Sequence, residues 1–273
     1  MSTLITNLVR PHPVIGSQVI TNTHHVSRIT KQPIRRIALR LEKKNIMELY
    51  LIRHGQSTNN RGDCPRVAEP PLTDLGKEQA QHAGQWLVTE GITTLYSSPM
   101  FRTLNTAQII GNHLGLPLHV FVGLHERGGV WEEQEGKGRV RKPGLTRSDM
   151  REICPDIVLP EDVTDNGWWF HEWEGIEATL QLTHAHAQAV SFIAHLKAHH
   201  VNTDERVAAV SHGGSGSSLI SALFGLLPPV GEDGAYMHFS QNNTGVSKVS
   251  ITSEQTQLLY LNRIDHLPKD AVT

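Results

Sequence analysis

Two hydrophobic periods alternate along this chain. Glu48–Ile52, "ITTLYSS" (92–98), "LPLHVFVGL" (116–124) and Val207–Ser211 are short, nearly continuous apolar runs, the pattern of strands buried on both faces. Between them, apolar residues recur at helical spacing. In "LTDLGKEQAQHAGQWLVTEG", Leu75, Ala80, Ala83, Trp86 and Leu87 share a face, Thr73 offers an N-cap oxygen and Gly91 a stop. "MFRTLNTAQIIGNHLG" predicts a second helix ended by Gly115. A third spans about 176–200, and a fourth, opened by glycines, about 213–224. Further on, "AYMHFSQNNTGVSKVSI" and "QLLYLNR" read as strands joined by the turn Asn242-Asn243-Thr244-Gly245. Residues 53–71 read as loop. Residues from about 125 to 175 have little period and many Gly, Pro, Trp and charged positions, so they read as an excursion over one end of the sheet. Strands alternating with helices predict an α/β fold, a three-layer α/β/α sandwich on a mainly parallel sheet.

Charge divides the chain unevenly. The formal net charge is -2, which gives no global attraction to nucleic acid or to a membrane. Residues 1–44 nevertheless hold eight Lys/Arg against one acid, Glu42, leaving 17 basic and 26 acidic residues for the rest. Residues 1–46 therefore read as a basic, disordered extension. A targeting segment and a start at Met47 are the other readings of it. The folded body is expected over 47–273. Two cysteines, Cys64 and Cys154, give no disulfide framework, and no apolar run is long enough to span a bilayer. A cytoplasmic protein is expected, with organelle targeting by residues 1–46 left open.

Three sites along this pattern carry chemistry. "LYLIRHG" places Arg53, His54 and Gly55 at the C-terminal mouth of a strand, where open α/β sheets hold ligands. Imidazole is a nucleophile at neutral pH when one nitrogen is unprotonated, and a guanidinium fork matches phosphate oxygens. Gly55 leaves room for backbone N–H groups to approach an anion. "SSPMFRTLNTA" puts Arg102 in the first turn of a helix, where free N–H groups already favour an anion and a cation works against the dipole. "VAAVSHGGSG" repeats the strand-His-Gly arrangement at His212 and Gly213. Each residue alone also fits a buried structural role. His195 and His199 have metal-compatible spacing but no partner acid, and no metal is expected.

These segments, with "LTDLGKEQA" and "LHE", stand in the order of the histidine phosphatase superfamily, the phosphoglycerate-mutase-like branch, which the chain resembles from about Met47 onward. The resemblance implies a phosphoglycerate-mutase-like fold with a lid insertion at about 125–175. It implies that His54 takes the phosphoryl group, and that Arg53, Arg102 and His212 hold its oxygens. Asn60, with Gly213, would contact phosphate, and Glu126 would protonate the leaving oxygen and then activate water. No cofactor is implied, and the partner is a small phosphorylated metabolite, with a homodimer allowed.

Departures favour a phosphatase over a mutase: Asn59 stands where mutases carry Trp, and "ERGGVWEEQEGKGRV" replaces an aromatic-Gly stretch. The alternative is a phosphoglycerate mutase, which would need 2,3-bisphosphoglycerate; a non-catalytic phospho-ligand binder is a third reading. Trp131, Trp168, Trp169, Arg139 and Arg141 are the lid candidates, with packing and solvated surface as the other account of them.

Overall fold

The computed structural model describes residues 45–169, 178–228 and 237–273. The expected N-terminal extension, apart from its last two residues, lies outside them, as do residues 170–175 of the expected lid. In chain order the elements begin with β1 (Met47–Arg53), α1 (Thr58–Arg61), α2 (Asp74–Glu90), β2 (Thr94–Ser97), α3 (Phe101–Leu114) and β3 (Leu118–Val120). They continue with β4 (Trp131–Gln134), β5 (Gly138–Arg141), α4 (Arg147–Ile153), α5 (Ala178–His199), β6 (Arg206–Ser211), α6 (Gly213–Leu223), β7 (Val246–Ile251) and β8 (Thr256–Arg263).

Six strands form one sheet in the order β3-β2-β6-β1-β7-β8. The first four run parallel; β7 pairs antiparallel with β1 and with β8. Strand geometry sends successive side chains to opposite faces. On β1, Met47, Leu49 and Leu51 join Phe192 and Leu196 of α5 and Leu219 and Ile220 of α6. Tyr50 and Ile52 join Ala83 and Leu87 of α2 and Leu104 and Ile110 of α3. This is the expected three-layer sandwich. Each fully buried Leu or Ile in it stabilises the fold by about 1.5–3 kcal/mol. Among the described residues, no helix is long and apolar enough to cross a membrane.

Several boundaries differ from the sequence expectation. The third strand stops at Val120, and a 3-10 turn at Val122–Leu124 replaces its second half. The loop after β1 contains α1, closed at Gly62 in the left-handed conformation. The turn Asn242–Gly245 does not join two strands: it precedes β7, and residues 237–245 form no strand. Its position has a physical reason. Thr244 N–H donates to the Arg53 carbonyl at 3.0 Å and Asn243 Nδ2 to the His54 carbonyl at 2.8 Å, so the turn backs the end of β1.

Residues 125–169 hold the antiparallel pair β4–β5 and α4. Met150, Ile157, Val163, Trp168 and Trp169 are buried in the same cluster as the α2–α3 face. This stretch is thus part of the core layer as well as an excursion.

Candidate active site

Sheet order brings the motifs together. β2, β6 and β1 are neighbours, with Arg53 opposite Ser211 and Ser97 opposite Val210. The ladder continues one step past the strands: His54 N–H donates to Ser211 O and Ser98 N–H to Val210 O, both at 3.0 Å. His54 and His212 therefore emerge side by side, ring centroids 5.2 Å apart. The 3-10 turn after β3 is fastened to β6 by Ser211 Oγ donating to Leu124 O at 2.9 Å, which delivers Glu126 to the same place.

These ends open into a cavity of about 400 Å³, at the small end of ligand pockets. Its lining includes Arg53, His54, Asn60, Arg102, Glu126 and Gly213, all expected from the sequence. His212 is buried beside it and is not among the lining residues.

His54 is held in one tautomer. Nδ1 lies 2.7 Å from the Gly55 carbonyl, which only accepts, so Nδ1 carries the proton. Nε2 then holds a lone pair, and Arg102 Nε–H donates to it at 3.2 Å. Burial pushes the His54 pKa well below the ordinary imidazole range, reinforced by the charges of Arg102 and Arg53. A neutral imidazole with an unprotonated Nε2 is the nucleophilic form. His212 is lowered likewise, by burial first and then by Arg102. Its Nε2 meets Ser98 Oγ at 2.8 Å, and its Nδ1 has no partner among the described residues.

Burial lowers the Arg53 and Arg102 pKa values, and the charge of Glu126 opposes this in both. Arg53 Nη1 donates to the Gln241 carbonyl at 2.7 Å. Among the described residues no carboxylate comes within salt-bridge distance of Arg53, Arg66 or Arg102. Desolvated guanidinia without an ion pair cost several kcal/mol. An anionic ligand in the cavity would offset that cost.

Two roles expected from the sequence belong to other groups. The N-terminus of α6 does not lie open for an anion, because Glu126 fills it. Its Oε1 accepts from Ser215 N–H at 3.0 Å and from Arg127 N–H at 2.9 Å, and its Oε2 from Gly214 N–H at 3.2 Å. A Cβ at Gly214 would stand 2.5 Å from Glu126 Oε1, so the glycine admits the carboxylate. Gly55 likewise serves packing: its N–H donates to Thr106 Oγ1 at 3.0 Å, and an added Cβ would lie 2.3 Å from Gly76 O.

The N-terminus of α3 is filled by a residue the sequence did not single out. Glu69 Oε2 accepts from Phe101 N–H at 2.8 Å. Burial pushes the Glu69 carboxyl up to about 7, with the Phe101 N–H and the Arg102 charge opposing. Across pH about 4.5 to 7 the unfolded chain ionises this group before the folded one does, so stability falls as pH rises through that window. Glu69→Gln keeps an oxygen for Phe101. It is expected to gain on the wild type across the same window, by on the order of 3 kcal/mol at about pH 8. Parallel melts of the two proteins from acid to mildly alkaline pH check this, and a pH-independent gap between them would contradict it.

The lid candidates divide. Trp168 and Trp169 are buried and pack on His125, at centroid distances of 5.4 and 4.7 Å, so they brace the segment that carries Glu126. Trp131, the first residue of β4, carries two guanidinia over its ring, Arg66 of the loop after α1 and Arg139 of β5. None of Trp131, Arg139, Arg141, Trp168 or Trp169 lines the cavity. In their place Ser57, Asn59, Arg66, His238, Ser240 and Gln241 do, none of them in the sequence-expected site. Asn59 also staples its loop, donating to Val67 O at 2.9 Å and accepting from Val67 N at 3.2 Å. The His195–His199 pair belongs to a ring cluster with Tyr96 and His200. Among the described residues no group of three or more His, Cys, Asp or Glu is placed to hold a metal.

Known proteins share the sequence pattern and the fold of this chain. The profile of the histidine phosphatase superfamily (branch 1) matches residues 49–264. The chain is 27% identical over 220 residues to "Putative phosphoserine phosphatase 2" of Hydrogenobacter thermophilus, covering 80% of this chain and 96% of that protein. It is 35% identical over 185 residues to "Probable phosphoglycerate mutase GpmB" of Yersinia pestis, covering 66% of this chain and 76% of the relative. Among solved structures, a mycobacterial glucosyl-3-phosphoglycerate phosphatase complexed with VO3 matches at TM-score 0.51 and 25% identity, over 79% of this chain and 98% of that one.

Proposed function

The chain belongs to the histidine phosphatase superfamily, branch 1, and from that premise we infer a phosphoric monoester hydrolase that acts on small phosphorylated metabolites through a phosphohistidine at His54. The observation that carries this reading is the unprotonated His54 Nε2 beside Arg102, in a cavity lined by three guanidinia that have no ion pair among the described residues.

The geometry supports the following roles. Phosphoryl transfer asks mainly for positioning and charge stabilisation. His54 Nε2 attacks phosphorus while Nδ1 keeps its proton, hydrogen-bonded to the Gly55 carbonyl. Arg53 and Arg102 spread over the equatorial oxygens, and Asn60 adds a neutral contact. His212, through its unpartnered Nδ1, supplies a further donor once an anion raises its basicity. Glu126 gives a proton to the leaving oxygen, then takes one from the water that opens the phosphohistidine. Every charge in this scheme is supplied by the chain, so catalysis without a metal is expected and EDTA should leave the rate intact.

The similarity to a protein named as a phosphoglycerate mutase keeps a second reading in play, in which a phosphoester in place of water accepts the phosphoryl group. One assay separates the two: phosphate release from a panel of small phosphoesters, beside 3-phosphoglycerate isomerisation with and without 2,3-bisphosphoglycerate. Release without isomerisation supports the hydrolase, and bisphosphoglycerate-dependent isomerisation with little release overturns it. Within that panel, Glu126→Gln should lower kcat by about 10²- to 10³-fold on alkyl phosphates, and much less on an aryl phosphate whose leaving group needs no proton. Equal losses on both classes would remove the acid role.

A further inference from the structure

Arg66 stands apart from the other cations of the cavity. Its loop is pinned to β4 by Glu133 N–H donating to the Arg66 carbonyl at 2.9 Å. Its Cζ lies 4.3 Å from the centroid of the Trp131 ring, and Arg139 Cζ lies 4.2 Å from the same centroid. Arg139 is fixed in turn by donating to Gly128 O at 2.9 Å. Stacking uses the face of a guanidinium and leaves its N–H edge available. That edge is unused: among the described residues no hydrogen bond or ion pair reaches the Arg66 side chain, and its buried Nε has no partner. Arg66 also sits close enough to Arg102 and Arg139 to repel both. The fold thus holds an unneutralised cation in place against like charges.

Charge balance indicates what such a cation serves. The cavity is lined by three guanidinia, Arg53, Arg66 and Arg102, and one carboxylate, Glu126. Glu126 is already held by three backbone N–H groups, and Arg53 and Arg102, which flank His54, match a phosphoryl dianion. One positive charge remains, and Arg66 is the one that touches neither His54 nor the strand ends. The cavity, at about 400 Å³, has room beyond the phosphoryl position for that second group.

We propose that Arg66 is a specificity residue that binds a carboxylate on the leaving group of the substrate, with Trp131 as the positioning residue that holds its guanidinium edge-on to the cavity. This rests on the phosphatase reading above and narrows the substrate to phosphomonoesters of small hydroxy acids. Planar, bidentate pairing of guanidinium with carboxylate is the recognition geometry that a stacked arginine offers.

Two ester pairs differing only at the carboxylate test it: phosphoserine against phosphoethanolamine, and 3-phosphoglycerate against glycerol 3-phosphate. The quantity read is the ratio of kcat/KM within each pair, for the wild type, Arg66→Gln, Arg66→Lys and Trp131→Ala. The wild type should prefer the carboxylated member of at least one pair. Arg66→Gln should reduce that preference about 10- to 100-fold, the worth of a charge-assisted hydrogen bond. Arg66→Lys should restore part of it, and Trp131→Ala should erode it in the same direction. A ratio unchanged by Arg66→Gln, or equal losses on both members, overturns the proposal. Turnover of p-nitrophenyl phosphate is read separately. A wild type that cannot hydrolyse it removes the phosphatase reading and this inference with it, whereas hydrolysis without carboxylate preference removes the inference alone.

Discussion

His54→Ala is expected to lower kcat by about 10⁴-fold or more, as loss of a nucleophile does in other covalent enzymes. The nearest imidazole cannot substitute for it. His212 is buried, its Nε2 is engaged by Ser98 Oγ, and it is not among the residues that line the cavity. Two measurements check the expectation. Steady-state phosphate release gives the rate, and acid-labile, base-stable phosphoryl labelling of the enzyme reports the intermediate; both should vanish together. A variant within about tenfold of the wild-type rate would mean that another group attacks phosphorus. The pH profile adds a sign. Because burial and two guanidinia lower the His54 pKa, its protonation should not limit the rate near pH 6.5, and activity should extend well to the acid side.

Gly76→Ala is expected to destabilise the fold by about 3 kcal/mol or more, the upper range for overpacking. An added Cβ would stand 2.0 Å from Gln56 O and 2.9 Å from Gln56 C and N. These are backbone atoms, so no side-chain rotation relieves the clash, and α2 must move off the end of β1. The move also breaks what fastens the two segments. Thr73 N–H donates to Gln56 O at 2.9 Å, Thr73 Oγ1 meets Gln56 Oε1 at 2.8 Å, and Gln56 N–H donates to Gln79 Oε1 at 2.8 Å. Thermal melting should show a drop of about 6–12 °C. A shift of under about 2 °C would mean that the contact yields easily. Activity should fall as well, since the displaced loop carries Ser57 and Asn60.

The sheet and its helices were legible because their signals are local. Apolar runs end in Arg53, Ser97 and Ser211, and Thr73, Gly91 and Gly115 mark helix ends, so the order of elements followed. Of the residues to which the resemblance gives roles, Arg53, His54, Asn60, Arg102, Glu126 and Gly213 line the cavity, and His212 lies buried beside it. What escaped depends on contacts between distant segments. Glu69 and Arg66 lie in a loop without period, and only the folded chain brings them to Phe101 and Trp131. The sequence pattern puts Gln241 and Asn243 in a hairpin, because a turn of that composition joins strands as readily as it braces one. The resemblance of their segment to family lids makes Trp168 and Trp169 lid candidates. Their packing on His125 shows how a large apolar side chain in an irregular segment can serve the layer beneath it.

Two helices begin at the rim of the cavity, and each start is already closed by a carboxylate of the chain itself, Glu69 on α3 and Glu126 on α6. An open helix start attracts any small anion, chloride and sulfate included, with little discrimination. With both closed, choice among anions passes to the guanidinium forks, which reward several oxygens presented at once in a fixed arrangement. In a solution crowded with halides and simple organic acids, such a site resists background occupancy, and its affinity is reserved for oxyanions of the right shape.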